Sequence, residues 1–147
     1  MSRLLLPLLL LLLTGCTPTV SLEAAPQSNH PDCAEVMVRL PNEIAEFSKR
    51  YTNAQATSAW GDPTAVIFRC GLEEVSVSAL PCVTAGDLDW LVDDSQEPSF
   101  RFISFGTTPA VEIIVDSTKV SGVTSVEAIA PAVGKLERFA QCSELSN

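Results

Sequence analysis

Thr64-Ala65-Val66-Ile67-Phe68-Arg69-Cys70 is the stretch from which the fold is read. Its β-branched and apolar residues describe a strand, with Val66, Phe68 and Cys70 on one side and Ile67 and Arg69 on the other. Gly61-Asp62-Pro63 before it and Gly71 after it supply the turns. Downstream, Val75-Ser76-Val77-Ser78 alternates, as a short return strand leading to Cys82 would. Asp87 to Asp94 sets Leu88, Trp90 and Leu91 among four aspartates, which suits a short helix or turn covering a sheet edge. Phe100 to Phe105 and Val111 to Val115 read as two further strands, with Gly106-Thr107-Thr108-Pro109 as their hairpin loop.

Helical spacing brackets these strands. Asp32-Cys33-Ala34-Glu35 resembles a capping box, so a helix is expected from Cys33, with Cys33, Val36, Met37 and Leu40 on one face. Pro41 ends or restarts it, Ile44 and Phe47 continue the stripe, and Lys49-Arg50 suits a helix C-terminus. Between Thr124 and Cys142 the apolar residues Val126, Ile129, Val133, Leu136 and Phe139 are helical, opened by Thr124-x-x-Glu127 and interrupted at Pro131. The expected fold is therefore α+β. One antiparallel sheet of about four strands carries the N- and C-terminal helices on one face, within a single domain over 32–147.

Composition narrows the partners. The chain has 147 residues, 9 basic against 18 acidic, for a net charge of −9, and a mean hydropathy of +0.24. Such a surface repels nucleic acid. The hydropathy is local, because nine leucines lie between Leu4 and Leu13.

The cysteines other than Cys16 are Cys33, Cys70, Cys82 and Cys142, an even number that suits two disulfides in an exported domain. Successive gaps of 37, 12 and 60 residues lack the close pairs of a zinc site, so no metal is expected. Cys70–Cys82 would close a short strand-end excursion, and Cys33–Cys142 would fasten the two terminal helices side by side. The single histidine, His30, lies in a linker and cannot serve a Ser-His-Asp or Cys-His site. With no G-x-S-x-G, S-x-x-K, P-loop or G-x-G-x-x-G pattern, hydrolase and nucleotide-binding classes recede, and no cofactor is implied.

Four residues remain as binding candidates. Trp60 could stack on a sugar or peptide, although a core position beside its Gly-Pro turn is the simpler reading. Asp87 and Asp89 belong to an acidic run that lacks the EF-hand pattern and reads as a solvated face. Asp62 with Asp87 or Asp89 would make a carboxylate pair of the kind glycoside hydrolysis needs.

The N-terminus reads as an export signal. Residues 1–15 join Arg3, the leucine run and the small Thr14-Gly15. Ten residues are too few to span a bilayer, which takes about 20. Leu13-Thr14-Gly15-Cys16 matches the bacterial lipobox, which implies a diacylglycerol on Cys16 and retention by lipid. Residues 16–31, small, polar and Pro-rich, read as a flexible tether.

Leu40-Pro41, Ala59-Trp60-Gly61-Asp62-Pro63, Arg69-Cys70-Gly71, Asp89-Trp90-Leu91 and the terminal Cys142 together resemble a family of small actinobacterial lipoproteins, a domain of unknown function. Glu73-Glu74 stand where that family tends to carry Pro. The resemblance implies the outer face of the cytoplasmic membrane and an envelope setting, and it brings no catalytic residues. The expected role is a lipid-anchored, non-enzymatic domain that binds an envelope protein or wall component. The alternative is a carboxylate-dependent enzyme acting on wall polymers.

Overall fold

The computed structural model describes residues 18–143. In chain order the elements are α1 (Pro31–Met37), β1 (Glu43–Ile44), β2 (Phe47–Arg50), β3 (Thr57–Trp60), β4 (Val66–Leu72), β5 (Cys82–Ala85), β6 (Leu88–Gln96), β7 (Ser99–Ser104), β8 (Thr107–Thr108), β9 (Ala110–Asp116), α2 (Gly122–Val133) and β10 (Glu137–Arg138). Eight strands form one antiparallel sheet in the order β1-β2-β3-β4-β9-β7-β6-β5, and β8 pairs with β10 in a small second sheet. The four-strand α+β arrangement is thus corrected: the domain is mostly sheet, with two helices.

The centre of the sheet is where the alternating pattern is cleanest. Val66, Phe68 and Cys70 of β4 stand opposite Val115, Ile113 and Val111 of β9, and all six are fully buried. Such cross-strand pairs of branched and aromatic residues stabilise a sheet by close side-chain contact. Cys33 and Val36 of α1 and Val126, Ile129 and Val133 of α2 close over this face and complete one core. α2 begins at Ser121, whose hydroxyl accepts from the Thr124 amide at 3.5 Å, rather than at the Thr124 capping box. It ends at Val133, not Cys142. Pro131 lacks the amide that would sustain the ladder, and the chain turns at Gly134 to form β10.

Two expected elements change type. The stripe through Ile44 and Phe47 is a tight hairpin, in which Ile44 pairs with Phe47 across Ala45 at φ 50° and Glu46. Spacing of three brings two residues together in such a hairpin as well as on a helix, so the pattern is ambiguous over so short a run. Asp87 to Asp94 falls within β6 and its turn, and β6 is the longest strand at nine residues. Leu88, Trp90 and Val92 face the helices, while Asp89 and Asp93 project from the opposite face. Aspartate disfavours strands intrinsically, and here the burial of the alternate residues outweighs it. Val75–Ser78 forms no strand, and Val77 is 89% exposed.

Both disulfide expectations are also corrected. The bridges are Cys33–Cys70, with Cα atoms 5.6 Å apart, and Cys82–Cys142, with Cα atoms 6.1 Å apart. α1 lies directly over the C-terminal end of β4, so its first turn meets Cys70 rather than the distant end of the chain. After α2, the Phe139 amide donates to the Gly106 carbonyl at 2.9 Å, and that detour carries Cys142 to β5.

Residues 18–30 are not a free spacer. The Val20 amide donates to the Tyr51 carbonyl at 2.9 Å, and the Gln27 amide donates to the Gly71 carbonyl at 2.8 Å. The chain runs as a strap over the face opposite the helices, where the Glu23 carbonyl accepts from Arg69 Nη1 at 3.3 Å. His30 caps α1, its Nδ1 accepting from the Asp32 amide at 3.3 Å, so the helix starts at Pro31 and not at the Asp32 box. Gly71 makes the crossing possible. At φ +104° a Cβ there would lie 2.4 Å from the Gln27 carbonyl carbon.

Candidate functional site

The candidate surface lies at the β5 edge of the sheet, where β5 and β6 join through Gly86 and Asp87. Both turn residues have positive φ, 59° and 61°, the geometry that a two-residue hairpin loop requires. Gly86 packs against α2, where a Cβ would come within 2.4 Å of the Ala130 side chain. The turn is therefore fixed from below. Across it, Arg138 Nη1 donates to the Asp87 carbonyl at 2.6 Å.

Asp89 organises the rest. Its Oδ1 accepts from the Thr84 hydroxyl at 2.7 Å, and its Oδ2 accepts from the Cys142 amide at 2.7 Å. The carboxylate thus ties the returning C-terminal segment to the sheet, beside the covalent tie of Cys82–Cys142. Around this clamp lies a polar cavity of about 560 Å³, lined by Thr84, Asp87, Asp89, Arg138, Gln141 and the disulfide. A second cavity of about 450 Å³ runs between the Gly86 turn and α2. A third, of about 710 Å³, lies on the Leu80–Cys82 side and reaches Val77 and Phe105.

The four sequence candidates separate. Asp87 and Asp89 come together in this surface. Trp60 does not join them: it is fully buried in the core, its Nε1 donating to the Pro41 carbonyl at 3.0 Å, which disposes of a stacking role. Asp62 is exposed after β3, 3.3 Å from Arg50 Nη1. Between β3 and β6 stand β4, β9 and β7, four inter-strand steps or about 19 Å. The carboxylate pair of Asp62 with Asp87 or Asp89 is therefore not formed. Among the described residues no three His, Cys, Asp or Glu side chains converge to hold a metal.

Arg138 is the residue the sequence reading does not single out. Its signal was its place four residues before Cys142, since a bridge from Cys142 to Cys82 must bring it beside the β5–β6 turn. Glu112 is a second missed feature. It is buried on the face opposite the helices, and Arg69 and Arg101 both bond its carboxylate. Asp93 stands opposite Arg101 across β6 and β7. Ser95, through its hydroxyl and then its amide, together with the Arg101 charge, holds the Asp93 carboxyl below its usual range. Glu112 is thus paired with two guanidiniums, and the charge of one of these, Arg101, also reaches Asp93. That network is structural.

Residues 13–140 match DUF3515, a protein family of unknown function. The chain belongs to that family. Comparison with the curated proteins and with the solved structures found no match. The two disulfides of this DUF3515 domain fit an oxidising, extracytoplasmic environment. Among the described residues no helix is long and apolar enough to cross a membrane. Cys16 lies outside the described residues.

Proposed function

We propose that this DUF3515 protein is an actinobacterial lipoprotein, held by lipid on Cys16 at the outer face of the cytoplasmic membrane. There it binds an envelope protein or wall component, without catalysis, through the surface around Cys82–Cys142. The lipobox at Leu13–Cys16 supports the anchor. One observation carries the choice of binding over catalysis: Asp62 follows β3, four inter-strand steps from the β6 strand that holds Asp89, whose carboxylate bonds the Thr84 hydroxyl and the Cys142 amide. Glycoside hydrolysis needs two carboxyl groups within about 10 Å of each other, and this pair is not assembled. What remains accessible is a polar, disulfide-clamped rim that presents Asp87, Thr84 and Arg138.

Photo-crosslinking in intact cells tests the reading. A crosslinking side chain at Val83, exposed on β5, should yield a defined adduct, whereas one at Val38, after α1, should not. Mass spectrometry of the mature chain should find Cys16 N-terminal and acylated. The enzyme alternative gains if purified protein degrades wall polymers and Asp87→Asn with Asp89→Asn stops it while the domain stays folded.

A further inference from the structure

The strap changes what a lipid on Cys16 would do. A free tether of 15 residues would let the domain wander, with a root-mean-square reach of about 20 Å. Here the described chain is bonded from its first residue onward. The Pro18 carbonyl accepts from Arg50 Nη2 at 2.5 Å, and the arginine side chain, only 9% exposed, is itself held by the Gly61 carbonyl at 2.9 Å. Val20 pairs with Thr52, and the Asn53 amide donates back to the Val20 carbonyl at 3.2 Å. The Leu22 amide donates to Asn53 Oδ1 at 2.8 Å, and Asn53 Nδ2 donates to the Ser21 hydroxyl at 3.1 Å. From Cys16 to Pro18 is two residues, a span of at most about 7 Å.

We propose that the domain is fixed on the bilayer by this strap, with the Tyr51–Asn53 turn at headgroup level and the Cys82–Cys142 surface turned away from the membrane. The proposal rests on the lipid anchor argued above. Tyr51 is the residue that marks the contact. It is 86% exposed although its own carbonyl is bonded to the strap, and an aromatic ring with a hydroxyl is suited to a membrane–water interface. Sheet order sets the opposite end. From β2 to β5 there are six inter-strand steps along the sheet, so the candidate surface stands at the opposite edge. Charge placement works the same way, since anionic headgroups repel Asp89, Asp93 and Asp94 of β6.

Indole fluorescence provides the test, because Trp60 and Trp90 are both fully buried and contribute a constant background. Purified lipidated protein carrying Tyr51→Trp is placed on vesicles of phosphatidylglycerol and phosphatidylethanolamine with brominated acyl chains. The added emission should shift to the blue and lose at least half its intensity. Val77→Trp, 89% exposed at the far edge, should lose none. Asn53→Ala, which loosens the strap, should reduce the quenching at position 51. Protein that floats with the vesicles yet shows equal or no quenching at 51 and 77 overturns the orientation and leaves the anchor standing. Protein that fails to float, with Cys16 unmodified by mass, overturns both. A blue shift at 51 that appears only with a membrane protein extract, never with pure lipid, would place a protein there and overturn the assignment.

Discussion

The two disulfides sit in opposite surroundings. Cys33–Cys70 is sealed in the core at 1% and 0% exposure, between α1 and β4. Cys82 is exposed and Cys142 half-buried, and their bridge walls a polar cavity. Loop length alone would make the two equivalent, since loops of 37 and 60 residues are each worth about 4 kcal/mol in the chain-entropy model. Burial separates them. One bridge completes a dry core built from β3, β4, β9 and the helices. The other holds a C-terminal segment on the outermost strand, where little apolar surface is available to hold it. Stability is concentrated on the first side, and the surface proposed for recognition lies on the second.

The largest expected effect strikes the core side. Trp60→Ala removes a fully buried indole and its bond to the Pro41 carbonyl, and should cost about 3 to 5 kcal/mol in denaturant melts. Val83→Ala on the exposed strand should stay within about 0.5 kcal/mol, and equal costs for the two would erase the contrast. Next, Cys33→Ala with Cys70→Ala should cost up to about 4 kcal/mol, because the bridge between α1 and β4 is lost. In the intact protein, mild thiol reductant should open Cys82–Cys142 first, as alkylation and peptide mapping would show. Reduction of Cys33–Cys70 first would contradict the assignment of burial. Gly71→Ala forces an L side chain into φ +104° against the Gln27 backbone, and should cost about 1 to 3 kcal/mol. Its distinguishing sign is faster proteolysis between residues 18 and 30. Smallest is Asp89→Ala, which frees the Thr84 hydroxyl and the Cys142 amide for about 1 kcal/mol, with the melting temperature lowered by a few degrees.

The sequence disclosed the sealed side far better than the open one. In Thr64–Cys70 alternation and burial coincide, so Val66, Phe68 and Cys70 could be assigned to one face, and the stripe Val126, Ile129, Val133 marked α2. β6 was hidden because its aspartates carry a local preference against strands, while the residues that decide its place, Leu88, Trp90 and Val92, gain their burial only from distant helices. The strap was hidden for a related reason. Its small polar residues bond through backbone groups to Tyr51 and Gly71, and composition does not reveal backbone pairing. The disulfides followed from the strap: once residues 18–30 wrap the end of β4, Cys33 must fall on Cys70, leaving Cys82 for Cys142. Of the candidate surface, Asp87 and Asp89 were visible as an acidic run, and Arg138 required the second bridge to be known.

The claim on which the account turns is that the rim around Cys82–Cys142 recognises a partner. Arg138→Glu tests it most directly, because Arg138 is exposed at that rim and its bond to the Asp87 carbonyl is made from the surface. With the crosslinking side chain at Val83 and the melting temperature of the variant within a few degrees of the wild type, the adduct should fall at least tenfold. An adduct of undiminished yield from a folded Arg138→Glu protein would contradict the account.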